Sequence, residues 1–154
     1  MYKTHNNGEL NIQHADKQVV LSGWIQKIRD KGFITWIDLR DRYGITQLVV
    51  DHSRTESTIL EKVKQLHREF VIRVEGKVIE RESKNPDMPT GEIEIDVQKV
   101  EVLNPSKTPP FTLEEKTDGG DDLRLKYRYL DLRRKPLQDK IIFRSKVNLA
   151  VRNY

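Results

Sequence analysis

The 154-residue chain contains no cysteine, which excludes a disulfide framework and thiolate metal sites and makes a cytoplasmic location the default expectation. No apolar run approaches the ~18 residues that a spanning helix needs, and the first residues lack the apolar stretch of a signal peptide. We therefore expect no membrane contact. Hydrophobic residues make up 36% of the chain and charged residues 34%, which allows one compact domain and some additional chain.

Sequence signatures of catalysis are missing as well. The chain has no glycine-rich phosphate loop, no His-Glu-x-x-His motif and no nucleophile elbow. Its four histidines are dispersed, and the Asp121-Asp122 pair lies in linker-like sequence. We expect no catalytic residue, no metal site and no bound cofactor in this chain.

The net charge of +4 is unevenly distributed along the chain. Residues 123–154 carry ten Lys or Arg against two acidic residues, whereas residues 1–122 carry 18 basic and 22 acidic groups. Bulk charge is therefore no argument for a nucleic-acid site in the front part, and such a site has to rest on local residues.

Periodicity divides the front part into strands and one helix. Alternating residues predict strands over 18–30, 33–41 and 44–51, joined by short glycine-containing turns. Apolar residues then recur at three- and four-residue spacing, which predicts one amphipathic helix of about three turns with Thr58 and Glu61 as a capping box. These residues are Ile59, Leu60, Val63, Leu66 and Phe70. Strands over 70–81 and 91–102 follow, with a loop between them. This order predicts an all-β OB-fold, a five-stranded Greek-key barrel with its helix between strands 3 and 4.

The rest of the chain has a different composition. Residues 104–122 hold Pro105, Pro109 and Gly119-Gly120, which is typical of a hinge linker between the barrel (1–103) and a helical segment (123–154). Leu125, Tyr129 and Leu132 are expected on one helical face, and Pro136 suits the first turn of a new helix. That helix is uncapped at Tyr154, so we expect the chain to be a piece of a longer protein.

The second strand predicts an outward aromatic ring. Alternation places Phe33, Thr35, Ile37 and Leu39 on the core side and Trp36 on the opposite side. An exposed ring on strand two is a stacking platform for an unpaired base. The alternative is that Trp36 packs under a loop or against the C-terminal segment.

Polar residues on neighbouring strands could complete such a site. Lys27 and Arg29 supply positive charge for phosphates or bases, and the Gln47 amide can both donate to and accept from a base edge. Glu94 would repel phosphate but can accept the N–H groups of guanine. The plainer interpretations are an ordinary exposed glutamine at Gln47 and a solvated basic edge at Lys27 and Arg29.

Three parts of the chain resemble a known family. They are Gly23 to Val49, with Gly23-Trp24-Ile25-Gln26 and Asp38-Leu39-Arg40-Asp41; Thr90 to Glu94; and the segment Tyr127-Arg128-Tyr129-Leu130-Asp131-Leu132-Arg133-Arg134. Together they resemble the N-terminal anticodon-binding domain of bacterial aspartyl-tRNA synthetases, which are class II enzymes. The resemblance extends from about Gly8 to the end of the chain, and the last segment is its most specific part.

The resemblance implies a function and a set of contacts. The whole enzyme would attach aspartate to its tRNA with ATP and Mg²⁺, as a homodimer formed through a catalytic domain. That domain lies outside this chain, which would therefore be inactive alone. The front barrel would bind an anticodon loop reading G-U-C. The RNA-binding positions implied are Trp36, Gln47, Glu94, Arg29, Lys27, Asn85 and Arg81.

These positions have distinct implied roles. Trp36 would stack on the middle base, Gln47 would hydrogen-bond that uracil, and Glu94 would recognise the first-position guanine. Lys27 stands where the family usually has arginine, so a bidentate contact is lost there.

Other functions remain open on sequence alone. Related asparaginyl and lysyl synthetases also read a central U. A stand-alone OB module that binds single strands or another protein is a further alternative, although the barrel's net negative charge argues against a nonspecific nucleic-acid binder. Whether the whole enzyme charges only tRNA-Asp or also tRNA-Asn is left undecided.

Overall fold

A computed structural model describes residues 2–154. The chain forms two compact units, Met1–Thr108 and Pro109–Tyr154. Among the described residues, no helix is both long and apolar enough to cross a membrane.

The first unit is a closed five-stranded barrel. Its strands are β1 (Gln18–Asp30), β2 (Ile34–Arg40), β3 (Ile45–Asp51), β4 (Val71–Glu80) and β5 (Ile93–Asn104). They close in the order β1-β2-β3-β5-β4, with β3 and β5 parallel and the other pairs antiparallel. The helix α1 (Ser57–Lys64) lies between β3 and β4. The predicted OB-fold is confirmed.

The barrel interior is filled by aliphatic side chains from all five strands. Ile37 and Leu39 are buried as expected, and Thr35 beside them donates to or accepts from the His52 ring at 2.9 Å. The core placement of Phe33 is wrong, because Phe33 precedes β2 and its side chain is 66% exposed. The alternation holds only within the paired strand, and Phe33 lies beyond the end of the barrel.

A β-bulge at Gln26 decides which way the end of β1 faces. Before it, Ile25 pairs with Leu39 of β2; after it, Lys27 pairs with Asp38, so Gln26 is an extra residue. A regular strand would put Lys27 and Arg29 on the same side as the buried Ile25. The bulge reverses the alternation, which buries Ile28 against the core and turns both cations outward.

The helix α1 is shorter than its apolar spacing suggests. It spans eight residues, so Leu66 and Phe70 pack against the core from the connection that follows. The predicted capping box is wrong: Glu56 is the N-cap, it makes no side-chain capping bond, and the Thr58 hydroxyl donates to its carboxylate instead. The connection between α1 and β4 is held to the barrel by Arg40, whose Nη2 donates to both oxygens of the Glu69 carboxylate at 2.9 Å.

The second unit contains three helices, α2 (Asp121–Lys126), α3 (Arg128–Asp131) and α4 (Lys135–Asn153). A single helical face through Leu125 and Tyr129 is wrong, because the helix breaks at Tyr127 and both side chains are 66% exposed. Pro136 lies in the first turn of α4 as expected.

Asp131 is the structural centre of this second unit. Its fully buried carboxylate accepts hydrogen bonds from three arginines, all within 3.1 Å: Arg124, Arg128 and Arg134. Arg134 also donates to the carbonyls of Glu114 and Glu115. Burial alone raises the pKa of the Asp131 carboxyl, but the bonds from Arg134 and Arg124 outweigh it, and the pKa lies below its usual value.

Candidate nucleic-acid interface

An open groove of about 520 Å³ runs across the outer face of the barrel. Its walls come from β1, β2, β3, β4, β5 and the loop between β4 and β5. Six of the seven residues proposed from sequence line it: Arg29, Trp36, Gln47, Arg81, Asn85 and Glu94. Lys27 is exposed on the same face but does not line the groove.

Strand register explains why these residues meet. Lys27 lies opposite Asp38 on β2, and Asp38 lies opposite Gln47 on β3. Because Leu48 aligns with Ile95 on the parallel strand β5, Gln47 lies beside Glu94. We call the line of Lys27, Asp38, Gln47 and Glu94 the polar row.

Hydrogen bonds link three members of the polar row, Asp38, Gln47 and Glu94, with Arg29 bridging the first two. Arg29 Nη2 donates to Asp38 Oδ1 at 2.8 Å and to Gln47 Oε1 at 3.3 Å. Gln47 Nε2 then donates to Glu94 Oε2 at 3.2 Å. The Gln47 side chain is 4% exposed, so the interpretation as an ordinary exposed glutamine is wrong. Its amide is fixed between a cation and a carboxylate, and these two bonds leave one N–H and one lone pair of the amide unused.

Trp36 lies in the neighbouring cross-strand line, between Arg29 on β1 and Val49 on β3. The ring is half-buried and forms part of the groove wall, and Val49 beside it is 5% exposed although it faces outward. An aromatic ring at the wall of a polar groove offers a π-face to a base.

The loop after β4 closes one side of the groove. The Gly91 N–H donates to the Met88 carbonyl at 2.8 Å, and the Gly91 carbonyl accepts from the Asn85 N–H at 2.9 Å. A Cβ at Gly91 would meet the Asn85 oxygen at 1.8 Å, so only glycine permits this close approach. Arg81 anchors the start of the loop through its N–H to Glu92, and its Nη1 atom is buried without a hydrogen-bond partner among the described residues.

The groove is not a basic channel. Among its described lining residues, five carboxylates face four cations. The pKa of Glu94 is raised, mainly because the carboxyl is partly buried and to a lesser extent because of the nearby Glu82 charge. The Arg81 charge and the hydrogen bond from Gln47 reduce this rise without cancelling it. Burial likewise raises the pKa of Asp38 against the attraction of Arg29. Such groups suit donors on base edges better than phosphates.

Sequence reasoning did not identify Asp38, Arg54 or Asp51 as groove residues. Asp51 accepts from the Ser53 hydroxyl and N–H and from Arg54 Nε at 2.8 Å, which lowers its pKa to about 2. The alternation of residues along β3 places Asp51 on the outward side and could have identified it. Nothing in the sequence indicates the turn that brings Arg54 back to the groove.

No metal site is evident in residues 2–154, which contain no group of three or more metal-ligating side chains. His5 and His14 are not fully dispersed, because their ring centroids lie 5.5 Å apart at the N-terminal segment.

A family model described as an OB-fold nucleic acid binding domain of the tRNA anti-codon type matches residues 19–103. Aspartate–tRNA ligases are similar over the whole chain: that of Flavobacterium psychrophilum is 60% identical and that of Amoebophilus asiaticus 55% identical. The chain spans about a quarter (26%) of the length of either relative. The family resemblance drawn from the sequence motifs is confirmed.

A solved structure is similar in fold. The asparaginyl-tRNA synthetase from Pyrococcus horikoshii, in complex with asparaginyl-adenylate, superposes with a TM-score of 0.81 at 26% identity. The match covers 99% of this chain and 34% of that protein.

Proposed function

The chain belongs to the tRNA anti-codon family of OB-fold nucleic acid binding domains, and we propose that its groove binds the unpaired bases of a tRNA anticodon loop. The observation that carries this proposal is the hydrogen-bonded arrangement of Arg29, Gln47 and Glu94 beside the Trp36 ring. A ring for stacking together with fixed donors and acceptors is how proteins recognise splayed single-stranded RNA bases.

The proposal assigns distinct roles to most of the residues predicted from the sequence. Trp36 stacks on the middle base, and the free N–H and lone pair of Gln47 complement the acceptor and donor of a uracil edge. Glu94 accepts the N–H groups of the first-position guanine. Arg81 and Asn85 bound the place where that guanine sits, and Lys27 contacts the loop backbone from the edge of the face.

The proposal extends to the whole protein of which the relatives are examples. We propose that the complete protein ligates aspartate to a tRNA with the anticodon G-U-C, and that it acts as a cytoplasmic homodimer. That reaction would use ATP and Mg²⁺. The described residues of this chain offer no phosphate loop or metal cluster that fits those groups, so we assign no step of the chemistry to it.

Identity favours the aspartyl enzyme over its relatives. The aspartate–tRNA ligases match at 55 to 60% identity, against 26% for the asparaginyl enzyme of known structure. A nonspecific single-strand binder would need a groove with a clear excess of cations, which the carboxylates here argue against.

The test is a titration of the chain with RNA stem-loops at fixed salt. A hairpin bearing G-U-C should bind more tightly than the same hairpin with A in the middle, with a change in tryptophan fluorescence. Equal affinity for both hairpins would contradict anticodon recognition and favour a general single-strand binder.

Trp36→Ala should weaken binding of the G-U-C hairpin by about 1–3 kcal/mol, which is roughly 5- to 150-fold in Kd. Its melting temperature should change little, because the ring lies on the groove wall outside the barrel core. Tyr43→Ala is a matched control, since Tyr43 is exposed but lies outside the groove. A large loss of stability with unchanged RNA affinity would make Trp36 a structural residue.

A further inference from the structure

Asp38 is the member of the polar row that has no role in the proposal above. It is a half-buried carboxylate in the middle of the face that contacts RNA, where burial raises its pKa and so disfavours its charge. A carboxylate next to the RNA backbone is also repelled by phosphate. A residue with two unfavourable properties at the centre of a binding face needs a compensating interaction.

The contacts of Arg29 supply that interaction. One nitrogen, Nη2, donates both to Asp38 Oδ1 and to Gln47 Oε1. Arg29 is 39% exposed, while the Asp38 side chain is 17% exposed. A long flexible side chain at the rim of a groove has many rotamers, and its short bond to Asp38 selects the one that reaches Gln47.

The position of Arg29 in turn fixes the direction of the Gln47 amide. A guanidinium only donates hydrogen bonds and an ionised carboxylate only accepts them. The amide oxygen must therefore face Arg29, and its nitrogen must face Glu94. Reversing the amide would put two donors together at Arg29 and two acceptors together at Glu94.

We infer that Asp38 is a positioning residue which, through Arg29, sets the orientation of the Gln47 amide and so determines that the middle position accepts uracil rather than cytosine. The two pyrimidines have the same shape but opposite donor and acceptor patterns at the 4-position and N3. An amide held in one orientation can distinguish them, whereas an amide free to flip can satisfy either. This inference rests on the proposed function, because it assigns a cause to the selectivity of the same groove.

The experiment compares hairpins bearing G-U-C and G-C-C, titrated into the chain at fixed salt. Wild type should prefer U by roughly 10-fold or more, which is the discrimination expected of a paired donor and acceptor. Asp38→Ala should reduce the preference to less than about threefold, mainly by improving relative binding of the C hairpin. Asp38→Asn should retain part of it, since its side-chain oxygen can still accept from Arg29.

A double-mutant cycle separates positioning from general stabilisation. Gln47→Ala alone should abolish the preference, and Asp38→Ala with Gln47→Ala should lose no further selectivity. Glu101→Ala is the matched control, because it removes an exposed carboxylate of the same barrel that lies on β5 outside the groove and should leave the preference intact.

The outcomes are distinct. If wild type prefers the G-U-C hairpin neither to the hairpin with A in the middle nor to the G-C-C hairpin, the proposed function fails, and this inference fails with it. If wild type discriminates against A but not against C, the proposed function stands and this inference alone is overturned. If wild type prefers U and Asp38→Ala keeps the full preference, or if the Asp38 and Gln47 effects are additive, only the positioning role is overturned. A uniform loss of affinity for both hairpins would likewise assign Asp38 a structural role.

Discussion

Replacing Gly91 with alanine tests how closely the loop after β4 is packed against the end of the groove. A Cβ built at Gly91 lies 1.8 Å from the Asn85 oxygen and 2.8 Å from the Met88 oxygen. Ordinary contact between such atoms requires about 3.5 Å, so the Asn85 carbonyl must move away by roughly 1.7 Å. Both atoms are backbone, and no rotamer change can relieve the overlap.

The size of the effect follows from the bonds this movement strains. Gly91 takes part in one hydrogen bond with Met88 and one with Asn85. Overpacking at such a site costs about 1–3 kcal/mol, and each kcal/mol lowers the melting temperature by about 4–8 °C in a domain of this size. Because Asn85 and Met88 line the groove, we also expect affinity for the G-U-C hairpin to fall by roughly 10-fold, the value of one misplaced hydrogen bond.

The assay is urea unfolding of the purified chain together with the hairpin titration. Gly120→Ala is the control, since a Cβ there meets nothing within 4 Å and its φ of −66° suits any residue. Its free energy of unfolding should stay within about 0.5 kcal/mol of wild type. If Gly91→Ala were equally neutral, the close approach would be refuted. If it lost stability but bound RNA normally, the loop would not belong to the binding surface.

Three further predictions concern single groups. RNA affinity should fall as pH drops from 7 through the raised pKa of Glu94, because protonation of its carboxylate removes an acceptor for guanine. Titrations of Kd against pH should show this fall for wild type, whereas Glu94→Gln should bind more weakly throughout and show no such fall. Glu69→Ala removes both oxygens that accept from Arg40 Nη2 in this buried ion pair and should cost roughly 3–5 kcal/mol by urea unfolding. A loss below about 1 kcal/mol would contradict the burial of the pair. The depressed pKa of Asp131 means that its contribution to stability is fully present above the unfolded-state value near 4 and is lost as pH falls through the lower pKa of the folded state. The amide-exchange protection factors of residues 128–134, which correct for the slower intrinsic exchange in acid, should therefore fall over that range and should already be low in Asp131→Asn at neutral pH.

The barrel was predictable because its strands obey a simple alternation. Each strand was located to within three residues of its observed bounds, since buried aliphatic side chains alternate with polar ones in β2 and β5. The helix was less predictable: its apolar spacing continues through Leu66 and Phe70, which pack on the core from a non-helical connection. The spacing of apolar residues indicates which side chains are buried, and buried side chains continue along the chain after α1 has ended at Lys64.

The groove could be anticipated only in part. Trp36 and Glu94 followed from alternation, and the family resemblance pointed to Arg81 and Asn85. The role of Asp38 could not be seen, because it depends on a nitrogen of Arg29 that reaches two strands at once. The burial of Gln47 was hidden for the same reason, since its polar neighbours on β1 and β5 are distant in sequence.

The bulge at Gln26 also limits how this face could be transferred to another barrel. Strand β1 has two phases: residues up to Ile25 face inward at odd numbers, and Ile28 faces inward at an even one. Grafting Lys27 and Arg29 by substitution onto a regular strand would direct two cations into a hydrocarbon interior. A transplanted groove face would therefore have to carry its extra residue along, and engineered libraries built on this strand should vary residue identity while holding its length constant.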